Sequence, residues 1–215
     1  MFNCQLNKDI PIVAHNFPFH KIIALSCILF FSGCAIRPTD VSLEQVQQGK
    51  IESLSRWQAN GKLAVITPDE RKSANLTWRQ DAQQVDMLLT TVVGSSIANL
   101  SFDGKIATLD ADDRQWQDTS ASSLIYQVTG WQVPIEQLSK WMKGQVDSKL
   151  IEARFDNDLV KRFTTASRDG QQWQIEYTRY GEFSIDGDDY TLPTAMRLLQ
   201  VQTNTRLIVR IDKWK

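Results

Sequence analysis

From residue 59 onward, apolar and polar positions alternate in short runs, the period-two signature of strands with one face buried. Leu63-Ala64-Val65-Ile66 ends at Thr67-Pro68-Asp69. Ala74, Leu76 and Trp78 alternate with polar neighbours, as do Val85, Met87 and Leu89. Ala98, Leu100 and Phe102 run into Asp103-Gly104, and the apolar positions from Ile106 to Leu109 follow. Asp-Gly between two such runs is a strong hairpin signal, because both residues tolerate the positive φ that a tight turn needs. Asp169-Gly170 stands similarly between Phe163-Thr164 and the run Trp173, Ile175, Tyr177. Thr203-Asn204 separates the stretch 198–201 from the stretch 207–211. About ten short strands at this spacing predict a mainly β fold built on a curved antiparallel sheet or barrel.

Two stretches break the alternation. From 43 to 57, Leu43, Val46, Leu54 and Trp57 recur at helical spacing with Ile51 beside them, and Gln and Lys lie on the other face. Ser42 is positioned to cap this helix, with Gln45 three residues on. A helix packed on the body accounts for it better than a membrane-surface helix, since basic residues are few. Between 120 and 143 two short helices are predicted. Ser120 caps the first, which carries Leu124, Ile125 and Val128 and ends at Gly130. Pro134 opens the second, which carries Ile135, Leu138, Trp141 and Met142 and stops at Gly144. Placed between strands, the pair is positioned to lie across an open end of the sheet.

The front of the chain has a different character. Residues 22–33 are apolar, follow His20-Lys21 and end in Ser32-Gly33. A basic flank, a short apolar run and small residues at its end describe a secretory signal, and the run is too short to span a bilayer. A buried helix is the competing reading, but a segment apolar on all sides would need covering at a chain terminus. Phe31-Ser32-Gly33-Cys34 resembles the bacterial lipobox, with Phe31 where an aliphatic residue is usual. The domains expected are a signal peptide over 1–33, a lipidated N-terminus and tether over 34–42, and a single domain over 43–215. Extended, residues 35–42 reach at most about 28 Å. Ala35, rather than Asp, after the lipidated cysteine resembles an outer-membrane address.

Maturation changes what the composition permits. Cys4, Cys27, Cys34, His15 and His20 are the only cysteines and histidines of the 215 residues. Removing residues 1–33 leaves Cys34 alone. Serine–histidine and cysteine–histidine catalysis, zinc held by His or Cys, and an internal disulfide are then excluded. The same removal takes away two lysines and one aspartate, so the net charge moves from −1 to −2. A balance this close to neutral implies no nucleic-acid partner.

Little candidate chemistry remains. Asp110, Asp112 and Asp113 cluster after a strand, and Asp186, Asp188 and Asp189 flank Gly187. Neither group has the spacing of a calcium loop or a paired-carboxylate site, and both read as solvated turns. No phosphate-binding glycine loop occurs, and no catalytic or metal-binding residue is expected. The unusual features are apolar. Seven tryptophans follow residue 34: Trp57, Trp78, Trp116, Trp131, Trp141, Trp173 and Trp214. Each alone reads as core; together with a curved sheet and a helical lid they are candidates to line an apolar cavity for acyl chains. The stretch Thr90-Thr91-Val92-Val93-Gly94-Ser95-Ser96 sets two valines against a turn. It is either a hydrophobic strand end or a loop that projects apolar side chains into lipid.

The residues taken together resemble the LolB family of outer-membrane lipoprotein acceptors, over nearly all of 34–215. The pieces are the lipobox, Trp57-Gln58-Ala59-Asn60-Gly61-Lys62, Trp78-Arg79-Gln80, Leu88-Leu89-Thr90-Thr91 with Gly94-Ser95, Thr129-Gly130 with Pro134 and Trp141, Trp173 with Tyr177, Leu192-Pro193 with Met196, and Asp212-Lys213-Trp214. The resemblance implies an unclosed antiparallel β-barrel of ten to eleven strands, with a helical lid over an apolar cavity. It implies a monomer, not an enzyme, that takes acylated lipoproteins from the periplasmic carrier LolA and places them in the outer membrane, whose phospholipid it contacts. No cofactor is implied beyond the covalent lipid on Cys34. The family's protruding loop falls on Thr91–Ser95, with Val92, Val93 and Gly94 at the membrane; the family often has Pro-Leu before the glycine. Trp57, Trp78, Leu89, Trp141, Trp173 and Trp214 are the expected cavity residues. A lipid-anchored module for another apolar ligand, and a carboxylate hydrolase, are the alternatives.

Overall fold

The computed structural model describes residues 43–146, 150–166 and 170–215. The signal segment, Cys34, the tether, Ser42 as a cap and Asp169 in its turn lie outside the described residues. Among the described residues, three helices and eleven strands follow one another: α1 (Leu43–Ser53), β1 (Arg56–Ile66), β2 (Arg71–Asp81), β3 (Gln84–Thr90), β4 (Ser96–Phe102), β5 (Ala107–Ala111), β6 (Arg114–Asp118), α2 (Ala121–Thr129), α3 (Ile135–Met142), β7 (Leu150–Asp156), β8 (Leu159–Ala166), β9 (Gln172–Ile185), β10 (Asp188–Gln200) and β11 (Thr205–Trp214).

The strands form one antiparallel sheet in the order β6-β5-β4-β3-β2-β1-β11-β10-β9-β8-β7. Chain neighbours pair as hairpins on each arm, and β1 pairs with β11 to join the arms. The sheet ends at β6 and β7, which do not pair with each other, so the barrel is unclosed. The alternation read in the sequence is the burial pattern of the strands. On β11, Leu207, Val209 and Ile211 are buried while Arg206, Arg210 and Asp212 are exposed. On β3, Val85 and Met87 face in and Asp86 faces out. Both Asp-rich stretches are hairpin turns. Asp112 and Asp113 carry φ of 49° and 57°, the twist that matches two flanking strands.

The predicted helices of the 120–143 segment form as expected. The Ser120 side chain accepts a hydrogen bond from the Ser123 amide at 3.2 Å, and α3 buries Ile135, Leu138, Trp141 and Met142. They sit between β6 and β7 in the chain, and α2 packs on β5 and β6.

The first helix is shorter than its periodicity predicts. It stops at Ser53, and Trp57 belongs to β1. Two interactions override the helical spacing. The Lys143 ammonium donates to the carbonyls of Ile51 at 2.9 Å and Leu54 at 2.7 Å, satisfying the helix C-terminus and complementing its dipole. Trp57 then inserts between Trp78 and Trp214, with ring centroids 6.1 and 5.2 Å away. Such aromatic pairs contribute about 0.5–1.5 kcal/mol each beyond their burial.

The β1–β11 seam has one close approach. The register shifts between Asn60 and Gly61. A methyl group on Gly61 would meet the Arg210 carbonyl oxygen and lie 2.8 Å from Ile211 Cα. Gly61→Ala is therefore expected to cost about 1–3 kcal/mol of stability, and thermal unfolding should show Tm falling by about 2–4 °C per kcal/mol. An unchanged Tm would mean the seam yields freely. Burial also pulls Lys143 from its ordinary 10.5 down to about 8. Between those values the unfolded chain holds the proton that the folded chain has released, so stability should rise with pH across that window. Urea unfolding should show this rise in the wild type and its loss in Lys143→Met; equal pH slopes would contradict it.

Candidate functional site

The inner face of the sheet and the two short helices line an open-mouthed cavity of about 590 Å³. That lies within the range of about 300–1,000 Å³ usual for small-ligand sites. Leu63 and Val65 on β1, Met87 and Leu89 on β3, Leu109 on β5 and Leu207 on β11 form the sheet side. Ile125 and Val128 of α2, with Ile135 and Leu138 of α3, form the opposite side. The polar residues of the lining, Lys72, Ser73, Asp112 and Thr129, are all exposed and so mark the rim. An aliphatic interior with its polar groups at the mouth offers a hydrocarbon chain burial without the cost of stripping water from a polar wall.

Trp131, on the link between α2 and α3, stands in the lining and is pinned from across the mouth. Its indole N–H donates to Glu70 Oε1 at 3.1 Å, and the Lys72 ammonium lies 5.3 Å from its ring centroid. Lys72 and Glu70 form an ion pair at 3.0 Å. Glu70 is itself fixed by the β1–β2 turn, where its amide donates to Thr67 Oγ1 at 3.1 Å. The helical lid is thereby tied to a hairpin tip.

The cavity residues expected from sequence divide between three places. Leu89 stands in the cavity wall. Trp57, Trp78, Trp214 and Trp141 are buried in the core and are not among the residues that line this cavity. The first three pack on one another, and Trp141 packs on Phe163 and Trp173, at centroid distances of 6.3 and 5.8 Å. Each spends its ring on a neighbouring ring rather than on the cavity. Trp173 instead borders a separate, more polar cleft with Ser120, Glu136 and Gln137. A count of tryptophans does not separate core from wall, and so does not single out Trp131. Its place on the helix–helix link, just after Gly130, was the signal that could have marked it.

The valine loop lies at the end of the β3–β4 hairpin. Its backbone is closed by the Thr91 amide donating to the Ser95 carbonyl at 2.8 Å and the Gly94 amide donating to the Thr91 carbonyl at 3.0 Å. Thr91 Oγ1 accepts from the Ser95 amide, and Asn75 Nδ2 donates to the Thr91 carbonyl. Gly94 sits at φ +91°, a conformation other residues rarely adopt. This ordered frame leaves Val92 and Val93 outside, 92% and 87% exposed. Two adjacent apolar side chains are thus held outward by a fixed backbone.

The family model for "Outer membrane lipoprotein LolB" matches residues 55–214. The chain belongs to the LolB family. Among curated LolB proteins, that of Aeromonas hydrophila is 34% identical over 199 residues, covering 90% of this chain and 95% of the relative. That of Vibrio cholerae is 31% identical over 194 residues, covering 88% and 93%. Solved structures share the fold at low identity. A LolA superfamily protein from Nitrosomonas europaea aligns with a TM-score of 0.52 at 10% identity, over 80% of this chain and 92% of that one. A putative outer membrane lipoprotein-sorting protein domain from Vibrio parahaemolyticus aligns at 0.53 and 9% identity, over 80% and 90%. As a LolB-family member the chain is an outer-membrane lipoprotein with a role in lipoprotein localisation. No helix among the described residues is long and apolar enough to cross a membrane.

The Trp131 latch makes a kinetic prediction. Trp131→Phe keeps the ring in the wall but removes the N–H that Glu70 accepts. A hydrogen bond to a charged group is worth about 1.5 kcal/mol, so stopped-flow uptake of a fluorescent fatty acid should quicken about tenfold. An unchanged uptake rate would place the opening elsewhere.

Proposed function

We propose that this chain is the acceptor that takes acylated lipoproteins from the periplasmic carrier LolA and inserts them into the outer membrane. The observation that carries this reading is the pairing of an aliphatic cavity with an outward apolar loop at the end of a hairpin that walls it. An acyl chain of about sixteen carbons costs roughly 12 kcal/mol to expose to water. A protein that moves it must replace that burial at each stage. The cavity replaces it while cargo is held, and Val92 and Val93 contact the phospholipid that replaces it next. Transfer down a gradient of affinities needs no covalent step, so the protein acts as a binding and hand-over device rather than an enzyme.

Acylation of Cys34 fits the same reading. One acyl chain gives marginal membrane binding, whereas two or more anchor stably. Lipid on Cys34 would fix the chain, as a monomer, at the membrane that receives the cargo. It needs no other cofactor for this.

Val93→Glu tests the reading. A carboxylate resists entry into hydrocarbon by several kcal/mol, so delivery of a lipoprotein from LolA into outer-membrane vesicles should fall at least about tenfold. Thermal unfolding should be unchanged, because Val93 is almost wholly exposed. Wild-type delivery by the variant would contradict the loop's role. Failure of the wild type to crosslink to LolA, with another hydrophobic ligand copurifying, would favour a module for that ligand.

A further inference from the structure

The cavity and the valine loop are linked by a residue that neither strand alternation nor simple burial explains. Ile97 and Ala98 are consecutive on β4, yet both line the cavity. In a regular strand, consecutive side chains point to opposite faces. The β3–β4 ladder breaks the rule at this point. Leu89 pairs with Ala98, and the next residue, Thr90, pairs with Ser96. Ile97 is thus the extra residue of a β-bulge, the irregularity that re-aims a side chain out of its regular direction.

Its position is as informative as its direction. The Leu89–Ala98 pair lies in the cavity wall, and the Thr90–Ser96 pair is the last rung before the loop. Ile97 stands between them. It lines the cavity and is also 41% exposed, so its side chain is part wall and part surface. The apolar sequence from inside to outside is then Met87, Leu89, Ile97, and the loop valines. A regular ladder here would turn Ile97 away and leave a gap in that sequence.

We propose that Ile97 is the sill of the cavity exit: an aliphatic tail crosses its side chain in passing between the cavity and the loop, and its apolarity sets the rate of that passage. The proposal rests on the acyl-transfer reading above and adds to it the route and a residue that the tail touches on the way. The tail loses contact with water-excluding surface at the exit if the sill becomes polar. Losing contact with about two methylene groups slows the crossing about tenfold. Most of the cavity wall is untouched by such a change, so affinity is largely kept.

The test loads the full chain with a fluorescently labelled palmitic acid and mixes it with phosphatidylcholine vesicles that carry a quencher. Titration gives Kd, and stopped-flow quenching gives the transfer rate. Ile97→Asn should slow transfer about tenfold, with Kd within about threefold of wild type. Ile97→Leu, which restores the apolar sill, should transfer at the wild-type rate. Wild-type transfer by Ile97→Asn, or equal slowing by Ile97→Leu, would overturn the sill while leaving the acyl-binding reading intact. A wild-type chain that neither binds nor transfers the probe would overturn both.

Discussion

The pairing of β1 with β11 holds the sheet together. Every other ladder joins strands that are neighbours in the chain, or nearly so; this one joins the first strand to the last. Without it the molecule would be two separate meanders, each with a bare apolar face. The seam explains several residues at once. Gly61 lets the two backbones approach, and Trp57 and Trp214 pack across the pair with Trp78 behind them. The Trp214 indole N–H donates to the Pro193 carbonyl at 3.0 Å, tying the last strand to its other neighbour. Because the seam closes one side and the β6 and β7 edges stay apart, the sheet curves without becoming a sealed barrel. The connection between those edges supplies the lid.

This division sets what the aromatic residues do. A cavity walled by stacked indoles would be filled by them. Here the large rings gather into core clusters that stiffen the sheet, and the cavity wall is left to Leu, Val, Ile and Met. Aliphatic side chains present hydrocarbon to hydrocarbon with no polar edge to satisfy, which suits a guest defined by length rather than by functional groups. Trp131 is the exception, and its role differs accordingly: its N–H faces Glu70 at the mouth, where an indole's polar edge has a partner.

Much of this was legible in the sequence because it follows from period and turn chemistry. Alternation located the strands, Asp103-Gly104 located a hairpin, and Ser120, Gly130 and Pro134 bounded the lid helices. The two valines beside a turn were legible too, but only the hydrogen bonds among Thr91, Gly94 and Ser95 decide for a projecting loop over a strand end. What escaped depended on pairing across the chain. Trp57 fits a helical stripe locally, and only its partners Trp78 and Trp214, with Lys143 capping the helix before it, place it in a strand. Trp131 needs the Glu70 contact from a distant hairpin. Ile97 needs a register shift, which no single strand encodes. The division of the tryptophans between core and wall is hidden for the same reason: burial is a property of one residue, but facing a cavity is a property of all its neighbours.

We propose the aliphatic space between the sheet and the lid, not the polar cleft beside Trp173 or the outer face of the sheet, as the site of the acyl chains of lipoprotein cargo. Photocrosslinking with an acylated lipopeptide that carries a photoreactive group on its fatty acid, read out by peptide mapping, tests this most directly. Covalent label is expected on Leu109, Leu138 and Trp131. Label confined to the cleft around Ser120 and Glu136, or to outward residues such as Arg79 and Arg210, would contradict it.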